Sequence, residues 1–284
     1  MQLYAQDSKQ DLIAASKALK QADYFCLECG GIVRVRGGIH RHIHFFHLKP
    51  SDSSCKLQAK SMAHLQVQNH LLTLLPKGES FLENAFPRIG RIADVAWPSR
   101  QLIFEIQCSP IAGPEIEARN RDYASLGYQV IWILHDRQYN QYRLSNAELF
   151  LRSSPYFFTD INEDGKGKIY DQFDVFRKGL RLGKSGRLNV DLSKPSPLPE
   201  KISVEIPRML QERMETWPFH FSGDLIDQAL LNPEILQQAI ELEQKIYPPQ
   251  KTKQFFSHLK VWFCKIVVQP YKLVFQLLLE RACK

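Results

Sequence analysis

Two patterns of apolar positions alternate along the first half of the chain, one with the period of a helix and one with that of a strand. Apolar residues recur three or four positions apart within residues 60–75 and 114–126, so both are predicted helices. Alternating or continuous apolar runs predict strands at residues 81–86, 91–97, 102–108 and 128–134. This order predicts an α/β unit in which helices flank a mixed sheet.

A hairpin is predicted where Pro-Ser-Arg at residues 98–100 separates the second and third strands. Because side chains alternate along a strand, Glu105 and Gln107 share one face, and Asp94 on the neighbouring strand can reach the same spot. Carboxylates are costly to desolvate without partners, so a divalent cation would stabilise this group. The alternative is an ordinary solvated sheet edge, although the strand around Glu105 is apolar for an edge.

The rest of the chain is less regular and suggests three regions. Residues 1–58 are expected to hold an N-terminal helix, over 1–20, and a small Cys/His module, and residues 59–145 the α/β core. Residues 146–284 are expected to form strand hairpins to about 193 and helices afterwards, with the Pro-rich segment 194–199 as a linker. Asp160 opens a calcium-like loop, but its eighth position is Gly167 instead of an apolar residue and its twelfth is Asp171 instead of Glu. A polar hairpin turn is therefore the better interpretation.

Charge is concentrated at one end of the chain. The formal net charge is +7 over 284 residues, and residues 250–284 contribute +6 of it, from seven Lys or Arg and one Glu. The tail is also aromatic, so it could pack in a core, lie on a membrane or bind nucleic acid. Six cysteines, no apparent signal peptide and no long apolar run favour a reducing cytoplasm and no membrane span.

A Cys/His cluster at residues 26–55 has the spacing of a zinc module. Cys26-x2-Cys29 presents two thiolates on one tight loop, and Cys55 follows further along the chain. The fourth ligand would be His47 or His44. A bound zinc ion would stabilise a segment too small and polar to fold by itself. The alternative is a set of unliganded cysteines beside a solvated, His-rich loop.

One face of the second predicted helix carries Arg119 and Tyr123, four positions apart. Arg can bind a phosphate and Tyr can stack on a base, so both are candidate DNA contacts. The alternative is an ion pair between Arg119 and Glu115 together with a tyrosine in the core.

Several of these motifs, in this order, resemble the CoiA-like competence protein family, whose core belongs to the PD-(D/E)XK nuclease superfamily. The resemblance runs from Tyr24 to Leu134. Its motifs are Cys26-x2-Cys29, His44-Phe-Phe-His47, Cys55, Ser61-x2-His64, Arg91-Ile-Ala-Asp94, Glu105-Ile-Gln107 and Arg119-x3-Tyr123.

The resemblance implies a restriction-endonuclease-like fold over residues 59–145, after a zinc-ribbon-like module. It implies that Asp94 and Glu105 hold Mg²⁺ or Mn²⁺ for phosphodiester hydrolysis, with Gln107 where the superfamily more often has Lys. A second departure is Lys60, where the family usually has Glu before the Ser. A missing acid would weaken metal binding, or the lysine would favour DNA binding over cleavage.

We therefore expect a cytoplasmic, Mg²⁺-dependent nuclease that processes DNA in natural transformation or recombination. The alternatives are an inactive nuclease-fold protein that binds DNA and recruits recombination factors, and a protein-interaction module. The expected partners are DNA and proteins of recombination or DNA uptake.

Overall fold

A computed structural model describes residues 2–38, 41–49, 55, 60–198 and 206–247, with only the backbone of residues 41 and 42. Residues 1–242 form one compact unit, and residues 243–284 form a second, of which 243–247 are described. The basic tail, residues 250–284, lies outside the described residues. No helix within the described ranges is both long and apolar enough to cross a bilayer.

An antiparallel sheet forms the N-terminal module, with strand order β2-β1-β3-β4-β5 among the described residues. Its strands are β1 (Tyr4–Gln6), β2 (Leu12–Ala14), β3 (Tyr24–Phe25), β4 (Ile32–Gly38) and β5 (Arg41–His47).

The prediction of a helix over residues 1–20 is wrong. This segment forms the hairpin of β1 and β2 and one short 3₁₀ turn. Its alanines favour a helix locally, but Ala5 and Ala15 are buried with Val33 and Phe45 in the core of the sheet. Tertiary packing therefore overrides the local preference.

The core begins with α1 and contains the mixed sheet that the sequence predicted. Its elements are α1 (Met62–Leu74), β6 (Phe81–Phe86), β7 (Arg91–Trp97), β8 (Leu102–Gln107), α2 (Gly113–Ala124) and β9 (Gln129–His135). Ser61 caps α1 by accepting a hydrogen bond from the backbone N–H of His64. Residues 98–100 form the predicted turn, and Gln101 closes it in the left-handed conformation.

After the core, the described residues form one helix, then six strands, then three helices with one strand between the first two. The remaining elements are α3 (Asn146–Phe150), β10 (Tyr156–Thr159), β11 (Ile169–Asp171), β12 (Asp174–Arg177), β13 (Leu180–Lys184), β14 (Leu188–Asn189), β15 (Asp191–Pro197), α4 (Arg208–Thr216), β16 (Phe219–Ser222), α5 (Leu225–Leu231) and α6 (Pro233–Ile246).

The large sheet has the order β14-β11-β10-β9-β8-β7-β6 in the described part of the chain, so it extends beyond residue 145. Strand β9 is parallel to β8 and β10, and the other pairs are antiparallel. Helix α1 packs against β6, β7 and β8, and α2 packs against β9 and α3. Strands β7 and β8 are thus internal, and the two predicted carboxylates do not lie at an edge.

Two expectations for the C-terminal region are wrong. The segment predicted as a linker lies largely within β15, which pairs with β16, a strand where only helices were expected. Proline is tolerated there because β15 belongs to a two-stranded sheet and has an edge that needs no N–H donor. The loop after Asp160 joins antiparallel β10 and β11, as the hairpin interpretation predicted.

Candidate active site and candidate metal centre

Asp94 on β7 and Glu105 on β8 lie side by side. The two strands pair Val95 with Phe104, and continuing that register by one residue sets Asp94 opposite Glu105. The backbone N–H of Ile106 donates to Asp94 Oδ2 over 2.9 Å, which fixes the orientation of the carboxylate. The hairpin therefore brings the two predicted acids together.

Both carboxylates border a cleft of about 510 Å³. They are only 6% and 1% exposed, yet each contributes to the cleft wall. Lys60, His64 and Gln107 line the same cleft. The acidic pair is thus shielded from bulk water but is open to a ligand in the cleft.

Asp94 is ionised by its surroundings. Lys60 Nζ lies 2.7 Å from Asp94 Oδ1, and His64 Nε2 lies 3.0 Å from the same oxygen. Burial alone would raise the pKa of Asp94, but His64 and Lys60 outweigh it and hold the pKa well below its usual range. Burial lowers the pKa of His64, so we treat the imidazole as a neutral donor to Asp94.

Glu105 is held by two side chains of α2. Arg119 Nη1 contacts Glu105 Oε2, and the hydroxyl of Tyr123 donates to Oε1 over 2.9 Å. Burial raises the pKa of Glu105 to about 7 against the opposing charge of Arg119, with a further contribution from the charge of Asp94. This acid therefore titrates near neutral pH.

These contacts change the interpretation of Arg119 and Tyr123. Tyr123 is fully buried, so the predicted stacking of its ring on a DNA base is wrong for this structure. Arg119 Nε also binds Glu115 over 3.0 Å, so the alternative of an ion pair beside a core tyrosine describes the geometry. Arg119 nevertheless lines the cleft, where its charge can reach a bound anion.

The side chain of Gln107 borders the cleft and turns toward Ser109. Its amide nitrogen donates to the backbone oxygen of Ser109 over 2.6 Å. The amide therefore lies at the cleft wall. Its role in orienting a water molecule stays a prediction.

A third carboxylate, Glu83 on β6, was missed by the sequence analysis. It is 6% exposed, and its Oε1 lies 3.3 Å from Lys60 Nζ. The available signal was an acid in a short apolar strand that neighbours the strand of Asp94. Burial raises the pKa of Glu83, while Lys60 opposes that shift.

The three acids form a donor set that suits a hard divalent cation. Carboxylate oxygens are the ligands that Mg²⁺ prefers. Glu83 Oε2 is buried and has no hydrogen-bond partner among the described residues. When all three acids are ionised, they carry a charge of −3. Lys60 and Arg119 contribute +2, so the net charge of the group is −1. Its electrostatics favour another positive charge.

A second candidate site lies in the N-terminal module, where Cys26, Cys29, His47 and Cys55 converge. Their ligand atoms all lie within 4.8 Å of one another. The Sγ atoms of Cys26 and Cys55 are 3.7 Å apart, close to the roughly 3.8 Å expected between sulfurs on a tetrahedral zinc ion. This Cys₃His cluster could bind a metal such as zinc.

Of the two histidines considered as fourth ligand, His47 lies in the cluster. Its Nε2 is 3.3 Å from Cys29 Sγ, whereas the Nε2 of buried His44 faces Arg36 Nε at 3.0 Å. Burial lowers the pKa of His47, which favours the neutral imidazole that binds metal.

Glu28 connects the Cys/His cluster to the cleft. It lies between the two cysteines of the tight loop, and its Oε2 is 3.4 Å from Cys55 Sγ. The same residue lines the cleft beside Asp94 and Glu105. The N-terminal module thus contributes part of the wall of the candidate active site.

The fold and the site together define an α/β nuclease-like core, with paired acids on adjacent strands, joined to a Cys/His module. Comparison with known proteins agrees with this class. Residues 60–170 match the family described as "Competence protein CoiA, nuclease-like domain". This part of the chain is therefore similar to the nuclease-like domain of the CoiA-like family, the resemblance that the sequence motifs indicated.

One curated relative is "Competence protein CoiA" of Bacillus subtilis (strain 168), which is 26% identical over 151 residues. The alignment covers 50% of this chain and 40% of that protein. The chain thus spans less than half the length of the relative. No solved structure matches the chain.

Proposed function

We propose that this chain is a DNA-processing protein of natural competence and recombination that hydrolyses DNA phosphodiesters with Mg²⁺ or Mn²⁺. The observation that carries the proposal is the pairing of Asp94 with Glu105 in the wall of an open cleft. The match to a competence nuclease-like domain supports the same class. Recombination or DNA-uptake proteins are the partners we expect.

Asp94 and Glu105 would hold the divalent ion, which when bound polarises the phosphodiester and lowers the pKa of the attacking water. Asp94 is suited to this role because it is ionised and fixed by the N–H of Ile106. Arg119 and Tyr123 hold the carboxylate of Glu105 in place.

The remaining groups at the cleft act on water and phosphate. Gln107 can orient the attacking water but brings no positive charge. Lys60 and Arg119 bring that charge, and both line the cleft, so they can offset the negative charge that develops on the phosphate.

A second candidate function is a nuclease-fold DNA-binding protein that no longer cuts and recruits recombination factors. The observation that favours it is the ammonium of Lys60 at 2.7 Å from Asp94 Oδ1, because it places a protein cation against a predicted metal ligand. In that case DNA would bind in the cleft without cleavage.

The test is a cleavage assay on supercoiled plasmid and single-stranded DNA with Mg²⁺ or Mn²⁺. The variants are Asp94→Asn and Glu105→Gln, which keep the shape of each side chain. Asp160→Asn is the matched control, because Asp160 pairs with Arg187 on the surface and does not line the cleft.

We expect metal-dependent cleavage by the unmodified protein and the control, and at least a hundredfold loss in both site variants. Cleavage that survives both substitutions would refute the assignment of the acids. DNA binding without cleavage by the unmodified protein, under every metal condition, would favour the second function.

A further inference from the structure

Lys60 lies between two buried carboxylates at the start of α1. Its side chain is 11% exposed, and its Nζ is 2.7 Å from Asp94 Oδ1 and 3.3 Å from Glu83 Oε1. Both distances are within ion-pair range. One protein cation is therefore shared by two acids.

Glu83 is held toward this lysine by an unusual backbone. Its φ of 49° is in the left-handed region, which a residue in a strand rarely adopts. Extending the register of β6 and β7 sets Glu83 opposite Asp94. Glu83 Oε1 contacts Lys60, while Oε2 is buried with no hydrogen-bond partner among the described residues. This second oxygen is thus an acceptor that a hydrogen bond from the ammonium would satisfy.

We propose that Lys60 is a tethered counter-cation that competes with the divalent ion for Asp94, and that Glu83 receives the ammonium when the ion binds. The inference rests on the proposed function, because it assumes a metal held by Asp94 and Glu105. It assigns to Lys60 and Glu83 the control of how tightly the metal binds.

The charges at the site support this competition. A divalent ion on Asp94 and an ammonium 2.7 Å from the same carboxylate would repel each other. Only a short shift separates the ammonium from a closer pairing with Glu83, whose second oxygen can then accept a hydrogen bond. Metal affinity should therefore depend on both residues, and in opposite directions.

The test measures Mn²⁺ binding to the 284-residue chain, supplied with zinc and without DNA, by the electron paramagnetic resonance signal of free Mn²⁺. Thiolate sites prefer zinc to manganese, so the Cys₃His cluster does not interfere. The variants are Lys60→Met, Glu83→Gln and the double variant that carries both substitutions. In the double variant the ammonium is removed without leaving the charge of Glu83 uncompensated. Lys77→Met, on the exposed turn after α1, is the matched control.

We expect Lys60→Met and the double variant to bind Mn²⁺ at least tenfold more tightly than the unmodified protein. Glu83→Gln should bind it several-fold more weakly, because a neutral amide attracts the ammonium less than the carboxylate does and leaves it closer to Asp94. Lys77→Met should leave the affinity unchanged.

Unchanged or weaker Mn²⁺ binding in Lys60→Met and in the double variant would overturn the inference. The proposed function would remain intact if Asp94→Asn abolishes Mn²⁺ binding in the same experiment. Absence of any Asp94-dependent Mn²⁺ binding in all variants would overturn both.

Discussion

Replacing Arg119 with Met should destabilise the protein by an amount that depends on pH. The substitution removes the guanidinium from Glu105, which is 1% exposed, and leaves the hydroxyl of Tyr123 as its remaining described side-chain donor. Losing one partner of a buried ion pair costs about 3–5 kcal/mol when the other charge must stay. Glu105 has an alternative, because it can bind a proton.

The sign of the pH dependence follows from the raised pKa of Glu105. Its folded pKa of about 7 exceeds the unfolded value near 4.3, so its contribution to stability is complete at acid pH and is lost as pH rises through 7. Without Arg119 the folded pKa rises further, and the loss continues above pH 7. The cost of Arg119→Met should be about 1 kcal/mol at pH 5.5 and about 3 kcal/mol at pH 8.5.

Urea unfolding of the zinc-loaded protein at the two pH values measures these costs. In a Glu105→Gln background the same substitution should cost about 1 kcal/mol at both, because no charge can form. Arg121→Met, at an exposed position of the same helix, should change stability by less than about 0.5 kcal/mol. In the protein that keeps Glu105, an equal cost of Arg119→Met at pH 5.5 and 8.5 would refute the reasoning. So would a cost at pH 8.5 that is just as large in the Glu105→Gln background.

Two further predictions concern the Cys/His cluster and the C-terminal region. Cys29→Ser should lower bound zinc from about one equivalent to less than half and reduce thermal stability. The control Cys108→Ser should not change the zinc content. A normal zinc content in Cys29→Ser would argue against the cluster as a zinc site. Burial and the charge of Asp171 raise the pKa of Asp224 to about 7, so its protonated form stabilises the fold at acid pH and this contribution is lost as pH rises through 7. Asp224→Asn should therefore lose about 1–3 kcal/mol less stability than the unmodified protein between pH 5 and 8 in urea unfolding, and parallel losses would contradict this.

The core could be predicted because its helices, strands and hairpin are determined by short stretches of sequence. Strong periodicity marked α1, α2 and the strands between them, and the Pro-Ser-Arg turn fixed how β7 and β8 pair. Once that hairpin is known, alternation of side chains brings Asp94 to Glu105 without any knowledge of the remaining fold. The spacing of Cys26 and Cys29 carries the same kind of short-range information.

The N-terminal hairpin and strand β15 could not be predicted in this way because their partners lie elsewhere in the chain. Ala5 and Ala15 favour a helix until a sheet core offers them a buried place beside Phe45. The prolines of β15 suggest a linker until β16 supplies a partner for the strand. In both cases a distant contact decides between conformations that the local sequence leaves close in energy.

Lys60 and Glu83 are a third case. The sequence indicates that a buried lysine needs acidic partners, but it does not show which acids these are. A lysine beside Ser61, where the core begins, must be paired if it is buried, since an uncompensated ammonium would lose its charge or remain in water. Asp94 is one such partner, but under the proposed function its carboxylate is also needed for the metal ion. A second acid is therefore needed nearby, and several acids of the chain are equally suitable on sequence alone. Glu83 is the acid that pairs with Lys60 because the strand β6 holds it opposite Asp94, with its own backbone in the left-handed conformation. No local pattern around residue 83 predicts this conformation.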